Sequence, residues 1–150
     1  MELKLITLLK EIDSIFIDTA PFIYYIEEYE KYIEAVDPLF SYISHGHITA
    51  YTSFITLIEV LTKPIEEKNK RLVCKYEDLL TNSKGLILAD MDKNIAVESA
   101  RLRAKYRIKI PDAIQVASGL VNGAKAFIKN DSNLKKIKEI KVIVLDDIVK

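Results

Sequence analysis

An α/β fold built on a parallel sheet is predicted by three features of the sequence. Short apolar runs with β-branched residues recur five times, and segments with helical spacing of apolar residues separate them. No Ser/Gly-rich or low-complexity stretch interrupts the 150 residues, which contain four glycines and four prolines. Strands alternating with helices assemble as a parallel sheet with right-handed crossovers and helices on both faces, an open α/β sandwich. At 49% hydrophobic, the chain suits one domain that buries about two-thirds of its unfolded surface.

The elements follow in order. Leu5, Leu8, Leu9 and Ile12 make a stripe of helical period, so residues 1–14 are an N-terminal extension expected to be helical. Residues 15–17 are the first strand; Asp18 ends it, and Pro21 suits the first turn of a helix. Residues 48–51 are the second strand. The helix after it looks apolar nearly all round Glu59, whose neighbours include Ile55, Ile58, Val60 and Leu61. Residues 86–88 are the third strand. Asp92 is a candidate N-cap for a helix with Ile95, Ser99, Leu102 and Tyr106 at i, i+4, i+7 and i+11. Basic and mostly apolar residues alternate from Arg101 to Ile110, which would suit an exposed strand. The helical spacing back to Ile95, and a turn signal that comes only at Pro111, favour helix to about Tyr106. The small residues Ala113, Ala117, Ser118 and Gly119 let the next helix approach the sheet closely. Residues 126–128 and 142–145 are the last two strands.

Lys plus Arg and Asp plus Glu balance at 22 each, so overall charge does not announce a nucleic-acid partner. The distribution is uneven. From Arg101 to Lys141 eleven basic residues face Asp112, Asp131 and Glu139, a net +8 that leaves the remainder at −8. A basic flank around two carboxylates suits a polyanionic substrate drawn toward a cation; solvated Lys-rich helix faces would look the same. The single cysteine, Cys74, excludes an intrachain disulfide and a multi-thiolate zinc site, and its plainest reading is a small buried apolar side chain in a reducing compartment. The opening residues lack the marks of a secretory signal, and no apolar run approaches the roughly 18 residues that span a bilayer. A soluble, cytoplasmic protein with no membrane partner is expected.

Four carboxylates carry the chemistry. Asp18 and Asp131 follow strands at the sheet edge where open α/β folds bind ligands, although each could simply cap a helix. Asp112 lies just after Pro111, at the positive end of a helix dipole that favours its ionised form, as a purely stabilising first-turn Asp would also lie. Glu59, in an apolar helix, would be costly to bury without a partner or cation; it could equally emerge at the surface or bond a basic neighbour. Four such groups in one place would repel one another unless a divalent cation sat among them. Oxygen-only ligands point to Mg²⁺ or Mn²⁺ in preference to zinc. His45 and His47, the only histidines, flank a glycine and read more simply as a loop than as metal ligands.

The stretches Ile15-Phe16-Ile17-Asp18-Thr19, Ser53 through Glu59 to Pro64, Pro111-Asp112-Ala113-Ile114-Gln115-Val116-Ala117-Ser118 and Phe127-Ile128-Lys129-Asn130-Asp131 resemble the PIN domain family, and within it the VapC-type ribonuclease toxins. Four weak motifs in the right order and spacing make a specific signal. The resemblance implies a three-layer α/β/α, Rossmann-like PIN domain over residues 15–150, with a central parallel sheet of four or five strands. It implies a metal-dependent endoribonuclease whose Asp18, Glu59, Asp112 and Asp131 hold Mg²⁺ or Mn²⁺ and act on RNA. Thr19, Ser53 and Asn130 would orient the carboxylates. A small antitoxin and a second copy of the chain are the implied protein partners. The fourth motif reads Lys-Asn-Asp where the family more often has Thr-Asn-Asp, which adds the charge of Lys129 beside the pocket. The alternatives are a PIN-type RNA-processing nuclease that is not a toxin and a catalytically inactive binding module. More remote is a phosphoacceptor receiver domain with Asp90 as acceptor.

Overall fold

The computed structural model describes residues 2–149, with side chains from Lys4 onward. Met1 and Lys150, at the outer ends of the two expected segments, lie outside the described residues. In chain order the elements are α1 (Glu2–Leu9), β1 (Ser14–Ile17), α2 (Thr19–Ile26), α3 (Ile33–Ser44), β2 (Thr49–Ser53), α4 (Phe54–Glu66), α5 (Lys70–Asn82), β3 (Leu86–Ala89), α6 (Lys93–Tyr106), α7 (Ile110–Val121), β4 (Ala126–Lys129), β5 (Lys141–Val144) and α8 (Leu145–Ile148). The five strands form one sheet of order β3-β2-β1-β4-β5, and every pairing is parallel. The chain winds outward from β1 to β3, then crosses back to β4. The order therefore reverses between β1 and β4, and the carboxyl ends of such a strand pair are where open α/β sheets bind ligands.

Strand alternation sends neighbouring residues to opposite faces. Ile15, Ile17, Ala126, Ile128 and Ile143 join one buried cluster with Phe22, Val36, Leu39 and Tyr76 from α2, α3 and α5. Phe16 and Phe127 join the other, with Leu102 of α6 and Val116 of α7. These two phenylalanines are register partners on β1 and β4, and their rings stack 5.3 Å apart at the sheet's centre. Above them Gly119 of α7 comes so close that a Cβ there would lie 3.1 Å from Cβ of Phe16, which is the close approach the small-residue helix predicts. Leu5 and Leu9 of α1 are fully buried in the first cluster, so this helix packs on the same core as the sheet.

The structure bears out the helix ending at Tyr106. Asp92 caps α6 by accepting the Ile95 amide at 2.9 Å, and Arg107 stops it in the left-handed region at φ 57°. Three readings are corrected. The helix α4 is not apolar all round: its buried residues are Thr56, Val60 and Pro64, one narrow stripe, while Ile58 and Ile65 face solvent. Cys74 is exposed on α5, on the side away from that helix's buried Tyr76 and Leu80. No helix follows β4; residues 131–140 run as turns.

That irregular stretch is tied to the end of α6. The Tyr106 hydroxyl and the Lys105 ammonium both donate to Glu139, and the tyrosine's bond, above all, holds the Glu139 carboxyl down at about 2, against an ordinary 4.5. A depressed folded-state pKa stabilises the fold fully above the unfolded value, and that contribution fades as pH falls from about 4.5 toward 2. Acid unfolding followed by circular dichroism should therefore lose its pH dependence in that window in part when Glu139 becomes Gln; an unchanged acid limb would show that the tie contributes nothing.

Candidate functional site

The acidic residues gather around the β1/β4 reversal in two hydrogen-bonded halves. The first is built on Asp18. Its backbone amide bonds the carbonyl of Ile128 at 2.9 Å, which locks the residue to the end of β4. Although Asp18 occupies the N-cap position of α2, it makes no capping hydrogen bond, so simple capping does not account for it. Gln115 of α7 donates instead, from Nε2 to Asp18 Oδ1 at 3.1 Å. Burial pushes the Asp18 carboxyl above its ordinary range and the nearby Glu59 charge adds to this, while the Thr19 amide, the Lys129 charge and Gln115 pull it back.

Gln115, itself 2% exposed, is the hub of this half. It also donates to Thr56 Oγ1 at 2.7 Å and accepts the Ser53 hydroxyl. Thr19 donates to Glu59 Oε1 at 2.6 Å, so Glu59 reaches the site from the exposed side of α4. Of its two readings the structure takes the surface one: α4 turns one stripe to the core, and Glu59 lies off it. Ser53 caps α4 through the Ile55 amide and acts on Asp18 only through Gln115.

The second half is built on Asp131 and Asp112. Asp131 Oδ1 accepts the amide of Asn133 at 3.0 Å, closing an Asx turn, and the Lys129 ammonium at the same distance. Burial raises the Asp131 carboxyl, but the Asn133 amide and Lys129 outweigh it and hold the group low. Asn133 Oδ1 takes a second bond from Lys129 at 2.7 Å, and its Nδ2 reaches Asp112 Oδ2 at 3.4 Å. Lys129 thus stands between the halves, bonded to one and felt electrostatically by the other.

Asn130 departs from its expected role. Its side chain donates to the Tyr24 hydroxyl at 2.7 Å and accepts the Asp146 amide at 2.8 Å, because residues adjacent on an extended chain point to opposite sides. It braces α8 against α2 and bonds none of the four carboxylates. The histidines are also occupied elsewhere: His45 Nδ1 bonds the Ser41 carbonyl at 2.7 Å and His47 stacks on Tyr42. Asp90 follows the edge strand β3, two strands from Asp18, which removes the geometry a phosphoacceptor site would need. Gln115, Thr56 and Asn133 are the polar residues that the sequence reading left without a role. A signal was available for Gln115, which lies at i+3 from Asp112 and so shares its helix face.

The donors are carboxylate, amide and hydroxyl oxygens, the set preferred by hard divalent cations. Asp18 is a desolvated carboxyl with no salt-bridge partner among the described residues, a group whose ionised form a cation would favour. In chemistry the site therefore fits Mg²⁺ or Mn²⁺. No three acidic, histidine or cysteine side chains among the described residues are spaced to chelate an ion as they stand; amide, hydroxyl and lysine partners hold one oxygen of each of the four carboxylates. Gln115→Leu should leave Asp18, Thr56 and Ser53 without their common partner. A loss of about 1–3 kcal/mol in urea unfolding is expected, with a fall in any metal-dependent activity of roughly 10–100-fold; a variant matching the parent in both would remove Gln115 from the site.

Comparison with known proteins bears on the fold. Solved structures of similar fold include VapBC from Salmonella typhimurium bound to DNA, at TM-score 0.71 and 17% identity over 89% of this chain and 99% of that one. VapBC2 from Rickettsia felis, bound to a DNA fragment from its promoter, matches at 0.67 and 17% over 87% and 98%. A toxin–antitoxin complex from Klebsiella pneumoniae matches at 0.66 and 21% over 87% and 96%. No curated protein matches the sequence. The PIN domain model matches residues 15–140, a span that holds all four carboxylates, and the chain accordingly belongs to the PIN domain family.

Proposed function

We propose that the protein is a metal-dependent endoribonuclease and the toxin of a toxin–antitoxin pair. The observation that carries this reading is Asp18: a desolvated carboxylate, unused as a helix cap, at the point where strand order reverses in a PIN domain. Asp18 and Asp112 are the proposed principal ligands of Mg²⁺ or Mn²⁺, with Glu59 or Asp131 completing the set. A bound ion would supply the positive charge that acidifies water and offsets charge gathering on the scissile phosphate. The protein's own residues do the rest. Gln115 fixes the Asp18 carboxylate, and Thr19 holds Glu59 through Oε1, leaving Oε2 uncommitted among the described hydrogen bonds and able to accept a proton. The basic stretch from Arg101 to Lys141 draws the RNA backbone toward the cleft.

The pairing with a small antitoxin draws support from the similar complexes and from α4, whose Phe54, Ile58 and Ile65 are exposed and offer an apolar face to a protein. A homodimer and a cytoplasmic location belong to the same proposal; no helix among the described residues is long and apolar enough to cross a membrane. Lys129 inside the acidic pocket favours a second reading, an inactive binding module, which normal Mn²⁺ affinity without turnover would support.

Purified chain incubated with transfer, ribosomal and messenger RNA should cleave at least one class with Mg²⁺ or Mn²⁺. Excess EDTA should stop the reaction, as should the product of a small adjacent reading frame. Cleavage undiminished in EDTA would sink the metal dependence, and cleavage indifferent to that product would sink the pairing.

A further inference from the structure

We infer that Lys129 is a resident cation of the acidic pocket that takes the place of one divalent ion, so that the site holds a single metal ion instead of two. This rests on the reading of the pocket as a cation site and adds to it the number of ions and the residue that sets it.

Lys129 ends β4 and is 1% exposed, unusual for a lysine, which is rarely buried without a partner. Its ammonium donates to Asp131 Oδ1 at 3.0 Å and to Asn133 Oδ1 at 2.7 Å, two of the oxygens a cation on that side would need. The Asn133 amide groups satisfy Asp131 Oδ1 and Asp112 Oδ2 as well. The other half of the pocket differs. There Asp18 and Glu59 receive only neutral donors, the Gln115 amide and the Thr19 hydroxyl. One half has a positive charge bonded into it, and the other feels that charge only at a distance.

Charge counting agrees. Four carboxylates and one ammonium leave the pocket three charges negative. One divalent ion reduces this to a single negative charge; a second would make the pocket positive and compete with the buried ammonium for Asp131. Asp131 is itself 70% exposed, but drawing it away would leave the enclosed ammonium short of its charged partner, which is unfavourable. The lysine also cannot leave with its charge spread into water, because its whole side chain is enclosed.

Titration of the full chain with Mn²⁺, by calorimetry and by electron paramagnetic resonance of the free ion, tests this without any RNA. One ion per chain is expected for the parent. Lys129→Met, which keeps the packed methylenes, and Lys129→Thr should each accept a second ion, with affinity for the first rising about tenfold. Two ions on the parent, or variants with unchanged count and affinity, overturn the proposal and leave the cation-site reading standing. No Mn²⁺ on any of the three would remove that reading and this proposal with it. Should circular dichroism show both variants unfolded, the parent's count decides alone: one ion sustains the proposal and two overturn it.

Discussion

Asp18→Asn is expected to reduce RNA cleavage by about 10³-fold, equivalent to roughly 4 kcal/mol of transition-state stabilisation, while leaving the fold as stable as before or slightly more so. The two halves of that expectation come from one fact. Asp18 is half-buried, its carboxyl is raised by desolvation, and the partners of that carboxyl are the Thr19 backbone amide and the Gln115 amide. An asparagine has the same shape and can still accept that bond through its own Oδ1. It removes a charge that is costly to bury, so folding loses little, but it cannot serve as an anionic ligand. Comparing kcat at saturating Mn²⁺ with the urea midpoint separates the two. Full activity in the variant would sink the assignment of Asp18, and a collapsed midpoint would show that its role is structural.

The largest stability effect is expected at Phe127→Ala, a loss of about 3–5 kcal/mol in urea unfolding. Phe127 is fully buried and stacked on Phe16 across the β1/β4 pair, beneath a helix whose Gly119 already lies against the Phe16 side chain. Helix α7 is held at the closest distance its small residues allow, so it has little room to settle into the cavity left by a missing ring. Against a total stability of about 5–15 kcal/mol, such a loss consumes a large share. The same substitution sits two residues before Lys129 and directly beside the strand that ends in Asp18. A loss under about 1 kcal/mol would mean that the helix does collapse onto the sheet, and that the packing here is looser than the geometry indicates.

The architecture was legible in the sequence because its signals are local. Runs such as Ile15-Phe16-Ile17 and Ala126-Phe127-Ile128 show that a strand is buried on both faces, and the spacing from Ile95 to Tyr106 outweighs the competing alternation after Arg101. The positions of the four carboxylates followed from strand ends and helix starts. Their surroundings did not, because those depend on which face a side chain takes. Glu59 looked buried because its immediate neighbours are apolar, yet α4 buries only Thr56, Val60 and Pro64, and sequence hydrophobicity does not distinguish a core stripe from an exposed apolar face. Asn130 was assigned with its neighbours, and a single step along an extended chain turned it toward Tyr24. Gln115 was passed over because a lone amide among small apolar residues carries no chemistry until its partners, Ser53, Thr56 and Asp18, are brought to it by three other elements.

The pairing of β1 with β4 also bears on how the molecule comes into being. These two strands are more than 100 residues apart in sequence, and Asp18 comes within the field of Lys129 only when they pair. A polypeptide emerging from the ribosome at about 5–20 residues per second can form β1, β2 and β3 early, but it has no complete pocket until β4 is available. A chain that stops short of β4 carries Asp18, Glu59 and Asp112 and still lacks the wall that turns them into a site. For a protein read as an enzyme that attacks RNA, this delays assembly of the pocket until β4 has been made.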